Sequence, residues 1–432
     1  MKNLKLIYKK FLESEKISID SRKDCNNSIF FAIKGENFNG NIYAEKAIKK
    51  GALMAIIDDK KYKKNDNYIL VKNSLKTLQK LAEKHICKSN FETIAITGTN
   101  GKTTTKEIIY NILKSKFNTE YTKGNFNNHI GVPLTILSCK SKNVKFLVLE
   151  MGANKKNDIK ELCEISKPKY GIITNIGKAH LEGFKTEENI LKTKTELYDY
   201  INSKNGNIFI NKDDVKLNKA AKKTNKIYYN DENISCEKYK SNPFLQMNIN
   251  VNGKSYKLKT NFIGDYNINN ILAGISVGLF FNISIDDILI SIEKYKPEIN
   301  RSQLIKKNNT IILDAYNANP TSMQKSIDSF YKTQTQNKKT IIIGDMMELG
   351  VAADKEHRRI IKNIKKMEFE NIILCGYLFY NSKDNLLENK KIKYFKNKKD
   401  LEFFLEKEKI NNHSILIKGS RKMELETLTK FL

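Results

Sequence analysis

The chain has 432 residues, which is too long for a single hydrophobic core, and its 40% apolar content predicts two or three globular domains. Its formal charge of +29 suggests nucleic-acid binding, but Arg stands at only five positions while Lys is spread along the whole chain, which is typical of solvated surfaces. The six cysteines show no metal-like spacing, which is typical of a protein in a reducing compartment. The first residues lack the apolar core of a signal peptide, and no apolar run is long enough to cross a membrane. We therefore expect a cytoplasmic protein without membrane insertion.

The first predicted unit covers residues 1–88. Apolar runs at residues 28–33 and 52–57 flank a stretch rich in Gly and Asn at residues 35–40. Short apolar runs bounded by turn-forming residues are typical of strands. This unit is therefore predicted to be a small α/β domain.

The second predicted unit covers residues 89–299. It starts with a strand at residues 93–96, a glycine loop and a helix at residues 102–116. Strand-like runs follow at residues 144–149 and 170–176, then at 245–251 and 256–258 around the turn signal Asn252-Gly253, before an apolar helix at 268–281. Strands that alternate with helices predict a parallel sheet covered on both faces.

The third predicted unit covers residues 300–432. Its strand-like runs alternate with helical stretches and lie at residues 310–313, 340–343, 372–374 and 415–417. This alternation predicts a second doubly wound, Rossmann-like sheet. The predicted fold class is α/β with three domains, of which the central one is a P-loop-type ATPase domain.

The clearest chemical signal lies between the strand at 93–96 and the helix that follows. It is the run Gly98, Thr99, Asn100, Gly101, Lys102, Thr103, Thr104. Glycines let the backbone approach phosphate closely, and the start of a helix offers free N–H groups to an anion. We expect Lys102 to neutralise the β- and γ-phosphates of ATP and the Thr103 hydroxyl to bind Mg²⁺.

A carboxylate near this loop is predicted from strand position. Glu150 follows a buried strand and therefore lies at its carboxyl end, where open α/β sheets bind ligands. A Glu at a strand end is usually only solvated, but a neighbouring phosphate loop favours a role as an Mg²⁺ ligand.

Several segments resemble one protein family. The shortened loop at 98–104 resembles that of the Mur ligases and folylpolyglutamate synthases, and the segments at 122–135, 314–320 and 344–350, with His357, resemble the Mur ligases that add D-alanyl-D-alanine. The resemblance implies that ATP phosphorylates the carboxylate of UDP-MurNAc-tripeptide. The amine of D-Ala-D-Ala then attacks the acyl phosphate, which yields UDP-MurNAc-pentapeptide, ADP and phosphate for peptidoglycan synthesis.

The resemblance also assigns roles to residues that the sequence pattern alone does not select. His180 is implied to hold a second Mg²⁺, and Lys194 is implied to carry a CO₂-derived carbamate, so that Lys102, His180 and Lys194 are the predicted catalytic residues. The other implied ATP contacts are Asn267, Asn270, Arg301 and Asp314. The implied substrate contacts are Ser21, Arg22, Lys34, Asn125, Asn127, Asn128, Asn317, Asn319, Lys418 and Arg421.

Other functions stay open at this stage. Within the ligases, the alternatives are an enzyme that adds a single amino acid to the UDP-linked peptide and a folylpolyglutamate synthase. From a different class, a nucleic-acid-binding P-loop ATPase would explain both the charge and the loop, although the scarcity of Arg argues against it. We expect a monomer that binds no nucleic acid.

Overall fold

The computed structural model describes residues 2–221, 224–297, 301–383 and 391–432. The predicted domain boundary between residues 299 and 300 lies outside the described residues, and both predicted boundaries stay predictions. The larger sheets follow one another along the sequence, and no strand belongs to two sheets.

The N-terminal part builds a four-stranded parallel sheet. Its elements are α1 (Lys2–Glu13), β1 (Lys16–Ser18), β2 (Ser28–Phe31), β3 (Lys34–Gly35), β4 (Phe38–Asn39), α2 (Ala44–Lys49), β5 (Met54–Ile57), β6 (Tyr68–Leu70) and α3 (Ser74–Ile86). The strand order is β1-β2-β5-β6, and β3 and β4 form a separate antiparallel pair. Strands β2 and β5 are buried at every position, as expected for parallel strands covered on both faces.

The central part builds a six-stranded sheet in which every pairing is parallel. Its elements are β7 (Glu92–Thr97), α4 (Lys102–Leu113), β8 (Thr119–Tyr121), α5 (Gly131–Ser138), β9 (Phe146–Glu150), α6 (Asp158–Ser166), β10 (Tyr170–Ile173), α7 (Leu181–Phe184), α8 (Glu187–Ser203), β11 (Asn207–Asn211), α9 (Val215–Ala220) and β12 (Asn225–Tyr229). The order β12-β11-β10-β7-β9-β8 reverses direction at β7, and such switch points are where open α/β sheets bind ligands.

An antiparallel layer follows the central sheet. Its elements are β13 (Ile234–Ser241), β14 (Phe244–Val251), β15 (Lys254–Ile263), α10 (Ile268–Phe280) and α11 (Ile285–Lys294). Asn252 and Gly253 both have positive φ and make the turn between β14 and β15, as the sequence predicts. Helix α10 packs against α4, and the absence of a side chain at Gly274 lets it approach Ile108 closely.

The C-terminal part builds a second six-stranded sheet. Its elements are β16 (Gln303–Lys306), β17 (Thr310–Asp314), α12 (Pro320–Lys332), β18 (Lys338–Gly344), α13 (Ala353–Ile364), β19 (Asn371–Cys375), α14 (Tyr377–Asn381), β20 (Ile392–Phe395), α15 (Lys398–Lys407) and β21 (His413–Lys418). The order is β16-β17-β21-β18-β19-β20, and only the edge pairing of β16 with β17 is antiparallel.

The predicted α/β class with a parallel central sheet and a Rossmann-like C-terminal sheet is confirmed. The sequence did not predict α1, although its Ile7 and Phe11 stand four residues apart and are both fully buried. Among the described residues, no helix is both long and apolar enough to span a membrane.

Candidate active site

The predicted phosphate loop connects the end of β7 to the start of α4. Gly98 has a φ of 136° and Gly101 a φ of 79°, backbone conformations that favour glycine. A Cβ at Gly98 would lie 2.1 Å from Thr174 Oγ1, and a Cβ at Gly101 would lie 2.6 Å from Asn270 Oδ1. Both positions therefore require glycine. The first N–H groups of α4 lack carbonyl partners within the helix, which suits them to bind phosphate.

Lys102 is the first residue of α4 and faces back over this loop. Its Nζ donates hydrogen bonds to the carbonyl oxygens of Gly98, at 2.9 Å, and Thr99, at 3.0 Å. Burial lowers the pKa of Lys102, and the carboxylate of Glu150 opposes that shift. The loop thus holds a cationic group at the place where a bound anion would lie.

Glu150 is the last residue of β9, and its carboxylate is almost fully buried. Thr103 Oγ1 donates to Glu150 Oε2 over 2.8 Å, and Asn127 Nδ2 donates to Oε1 over 2.7 Å. A carboxylate and a hydroxyl oxygen therefore stand side by side next to the loop. Oxygen ligands of this kind suit a hard cation such as Mg²⁺.

A buried lysine supports Glu150 from behind. Lys106 lies one turn after Lys102 in α4, is fully buried, and donates from Nζ to the carbonyl oxygen of Thr122 over 2.8 Å. The hydroxyl of Thr122 in turn accepts a hydrogen bond from the backbone N–H of Glu150 over 3.0 Å. The position of Glu150 is therefore supported by two successive contacts.

The segment after β10 holds the other side of the loop. Asn175 Oδ1 accepts a hydrogen bond from the backbone N–H of Asn100 over 3.1 Å, and its Nδ2 donates to the Asn100 carbonyl over 2.9 Å. The hydroxyl of Thr99 accepts from the backbone N–H of Gly177 over 3.0 Å. Sequence reasoning missed Asn175 because it lies inside the strand-like run predicted at residues 170–176, whereas β10 ends at Ile173 and leaves Asn175 just beyond the strand.

His180 and Lys194 both line the same cavity as the loop. His180 has a φ of 50°, its Nδ1 contacts Glu348, and burial lowers its pKa. Lys194, in the middle of α8, is only 3% exposed, and burial together with the neighbouring Lys102 lowers its pKa well below the usual value. The Lys194 amine therefore loses its proton at a lower pH than the amine of an ordinary lysine does.

The start of α10 approaches the loop from beside Gly101. Thr105 Oγ1 donates to Asn270 Oδ1 over 3.2 Å, and Asn270 Nδ2 donates to Asn267 Oδ1 over 3.0 Å. Asn267 Nδ2 in turn donates a hydrogen bond to the carbonyl oxygen of Ile263 over 3.0 Å. These amide side chains form a polar wall of the cavity.

The C-terminal sheet contributes the opposite wall. Asp314 and Lys418 end neighbouring parallel strands in the same register, and Lys418 Nζ lies 2.5 Å from Asp314 Oδ2. The Arg301 guanidinium lies 3.7 Å from the centroid of the Tyr316 ring, and that of Arg421 lies 5.2 Å from it. Sequence reasoning did not single out Tyr316, whose ring is the common platform for the two arginines.

Nearly all the predicted nucleotide, metal and acceptor residues surround one cavity of about 460 Å³. Those that line it are Thr99, Asn100, Gly101, Lys102, Thr103, Thr104, Asn125, Asn127, Asn128, Glu150, His180, Lys194, Asn267, Asn270, Arg301, Asp314, Asn317, Asn319 and Lys418. Gly98, the first residue of the loop, does not line the cavity, and Arg421 lies near Tyr316 without lining it.

The predicted contacts for the UDP end lie in the N-terminal part, outside that cavity. Ser21 is buried, and the exposed Arg22 is held by Asp20 through two side-chain hydrogen bonds of 2.9 Å each. Lys34 Nζ lies 3.2 Å from Asp58 Oδ1. A ligand that contacted both regions would have to be extended.

Comparison with known proteins agrees with this architecture. Residues 13–86 match the model "Mur ligase family, catalytic domain", residues 96–278 the "Mur ligase middle domain", and residues 300–421 the "Mur ligase, glutamate ligase domain". The UDP-N-acetylmuramoyl-tripeptide–D-alanyl-D-alanine ligase of Borreliella burgdorferi is 35% identical, over 95% of this chain and 92% of the relative.

Two crystal structures extend the likeness to three dimensions. MurF from Acinetobacter baumannii has a TM-score of 0.87 and 28% identity, over 96% of this chain and 92% of that one. MurF from Thermotoga maritima, solved in complex with ADP, has a TM-score of 0.85 and 26% identity, over 98% and 97% of the two chains. The chain belongs to the Mur ligase family.

Proposed function

We propose that the protein is a MurF-type ligase, which joins D-alanyl-D-alanine to UDP-MurNAc-tripeptide with hydrolysis of ATP to ADP and phosphate. The observation that carries this proposal is the single cavity in which the phosphate loop, Glu150, Lys194 and the ends of the C-terminal strands meet. The names of the similar ligases and the ADP-bound Thermotoga structure support it.

The chemistry explains why a carboxylate needs ATP here. A carboxylate anion is a poor electrophile and oxide a poor leaving group, so direct condensation with an amine fails in water. Transfer of the γ-phosphoryl group to the carboxylate gives an acyl phosphate, which the amine attacks with loss of phosphate. Closure of the C-terminal part over the loop would exclude water from this intermediate.

We assign the nucleotide to the loop at Gly98–Thr104 and to the polar walls beside it. Lys102 stabilises negative charge on the transferring phosphoryl group, because its position is fixed before the reaction. Asn267 and Asn270 lie on the adenine side, and Arg301 and Asp314 reach the nucleotide from the C-terminal part. These roles account for the placement of all four side chains on the cavity surface.

The residues present also suit Mg²⁺. Thr103 and Glu150 offer adjacent oxygens, and His180 lies on the same cavity. Among the described residues no group of three or more His, Cys, Asp or Glu side chains forms a closed metal site, so phosphate and water oxygens would complete the coordination of two ions. When bound, Mg²⁺ neutralises charge on the phosphates.

Lys194 is proposed to carry a carbamate. Its neutral amine attacks CO₂, a Nζ–C bond forms, and a proton is lost to solvent. Burial and the neighbouring Lys102 both destabilise the ammonium form of Lys194, and the positive charge of Lys102 favours an anion in its place. The carbamate would then serve as an anionic ligand next to Glu150 and His180.

The substrate contacts complete the proposal. Ser21, Arg22 and Lys34 are assigned to the UDP end, and Asn125, Asn127 and Asn128 to the peptide that leads into the cavity. The acceptor D-Ala-D-Ala is assigned to the wall with Asn317, Asn319, Lys418 and Arg421. We further propose domain boundaries at residues 88/89 and 299/300, a monomer, and a cytoplasmic location, where ATP and the UDP-linked substrate are made.

Phosphate release with different acceptors tests the proposal. With UDP-MurNAc-tripeptide and ATP, release should require D-Ala-D-Ala and should not respond to D-Ala alone or to glutamate. Turnover with a single amino acid would favour the ligases that extend the peptide by one residue. Turnover with glutamate on a folate substrate would favour a folylpolyglutamate synthase, and salt-dependent DNA binding without ligation a nucleic-acid-binding ATPase.

A further inference from the structure

The loop at residues 345–350 reaches from the C-terminal part to the turn that carries His180. Glu348 makes two contacts with that turn, one through its side chain and one through its backbone. Its Oε2 contacts His180 Nδ1, and its carbonyl oxygen accepts a hydrogen bond from the backbone N–H of Glu182 over 3.1 Å. The sequence motif around Glu348 was conspicuous, yet the proposed reaction gives it no task.

The loop is held in an unfavourable backbone conformation by contacts on its far side. Glu348 has a φ of 62°, in the left-handed region that non-glycine residues rarely adopt. His357 Nε2 accepts from the backbone N–H of Met346 over 3.1 Å, and Ser420 Oγ accepts from that of Met347 over 2.9 Å. Strain of this kind persists only where surrounding contacts enforce it, and it often marks a functional position.

The direction of the contact determines what the imidazole can do. A carboxylate at Nδ1 favours the tautomer with the proton on Nδ1, so that Nε2 keeps its lone pair. Carboxylates that orient a metal-binding histidine in this way raise its basicity and fix its ring. Glu348 is therefore placed to prepare His180 for a cation.

We propose that Glu348 is a positioning residue, which fixes the Nδ1–H tautomer of His180 and so couples cation binding to docking of the C-terminal part. This inference rests on the proposed role of His180 as a cation ligand. It adds a residue on a different part of the chain, and it predicts that the cation site is complete only when the C-terminal part is docked.

A second contact between the same two parts provides a matched control. Lys178 Nζ lies 2.6 Å from Glu356 Oε1, and among the described residues the side chain of His180 pairs with Glu348 and not with either of these two. Glu356→Gln therefore weakens docking without removing the carboxylate that faces the imidazole. If docking alone mattered, the Glu348 and Glu356 variants would behave alike.

The test reads the tautomer directly. The chain has only five histidines, so NMR of protein with isotope-labelled histidine, at about pH 8 and without nucleotide or metal, can resolve His180, assigned with His180→Gln. The native protein and Glu356→Gln should hold the Nδ1–H tautomer. Glu348→Ala should lose that preference, whereas Glu348→Gln, whose amide oxygen still accepts, should keep it.

Cation affinity is the second readout. With ADP present, Mn²⁺ binding followed by EPR should weaken about tenfold or more in Glu348→Ala and much less in Glu356→Gln. An Nε2–H tautomer in the native protein, an unchanged tautomer in folded Glu348→Ala, or equal Mn²⁺ losses in both variants would overturn the inference. Neither readout needs turnover, so a failure of ligation would count against the proposed function alone.

Discussion

Asn319 Nδ2 donates a hydrogen bond to Asn100 Oδ1 over 2.7 Å, which joins the C-terminal part directly to the phosphate loop. Asn319 is also the N-cap of α12, where its Oδ1 accepts from the backbone N–H of Ser322 over 2.9 Å. Asn100 is held on its other side by Asn175. The shape of the loop therefore depends on a residue more than two hundred positions away, whose own geometry is fixed by a helix start.

Substitution of Asn319 separates these two tasks. Ser caps a helix about as well as Asn but is too short to reach Asn100, so Asn319→Ser should keep stability and raise the KM for ATP about 2- to 10-fold. Asn319→Ala should show the same kinetic loss and in addition about 1 kcal/mol less stability. Steady-state kinetics and thermal denaturation measure the two effects. An additional rise in the KM for D-Ala-D-Ala would follow from the acceptor-binding role that we assign to Asn319, whereas an unchanged KM for ATP would contradict its role in shaping the loop.

Lys102→Ala should abolish catalysis and leave the fold intact. The side chain bonds only to carbonyl oxygens of its own loop among the described residues, so its loss should cost about 1 kcal/mol or less of stability. Ligation should fall by about 10³-fold, because a fixed cation is lost from the transferring phosphoryl group. Phosphate release and circular dichroism measure the two effects. Lys114→Ala, an exposed residue just beyond α4, is the control, and near-normal turnover in Lys102→Ala would contradict the loop assignment.

The sequence predicts those features of the site that depend on consecutive or nearby residues. The loop at Gly98–Thr104 was recognisable because its glycines, lysine and threonines are consecutive and lie between a strand and a helix. Glu150 was recognisable because the end of a buried strand is a local pattern. The contacts Asn175–Asn100 and Glu348–His180 join residues far apart in sequence, and no pattern within one segment predicts such pairs.

The same limit applies to the fold. The central strands β7, β9 and β10 were predicted from their apolar runs, whereas β11 was not predicted although its three middle residues are buried. Strand β13 escaped prediction because most of its residues are partly or fully exposed, and the edge strands β16 and β20 are only half-buried. Lys194 is a further case, since only family resemblance distinguished it from the many other lysines. Its burial and its place on the cavity become visible only in three dimensions.

Stability should fall as the pH drops through the titration range of histidine. His85 is buried, its Nε2 lies 2.8 Å from the carbonyl oxygen of Cys139, and burial lowers its pKa. Below about pH 6.5 the unfolded chain takes up a proton that the folded protein resists, so stability is lost until the lower folded pKa is reached. Apparent Tm measured from about pH 7.5 to 5 should fall less steeply in His85→Gln. An unchanged slope relative to the exposed-site control His129→Gln would contradict this.

Lys194→Arg should be inactive even though it keeps the positive charge. An arginine cannot form the carbamate, and its guanidinium would place a permanent cation beside Lys102 and the proposed metal ligands. Lys194→Ala should also be inactive, and formate or acetate should restore part of its activity, because a small carboxylate can return the missing negative charge to the vacated space. Phosphate release in the presence of D-Ala-D-Ala measures both variants, with and without added formate.

The neighbouring Lys192 gives the matched control for this experiment. It lies two residues away on the same helix but is exposed, and its Nζ pairs with Glu188 at 2.7 Å on the surface. Lys192→Arg and Lys192→Ala should therefore both be fully active, because surface ion pairs contribute little. In the native protein, removal of bicarbonate and CO₂ should lower activity, and adding bicarbonate should restore it, because CO₂ supplies the carbon that the Lys194 amine binds. Full activity of Lys194→Arg would exclude the carbamate, and the loop, Glu150 and the acceptor wall would still support ligation through an acyl phosphate.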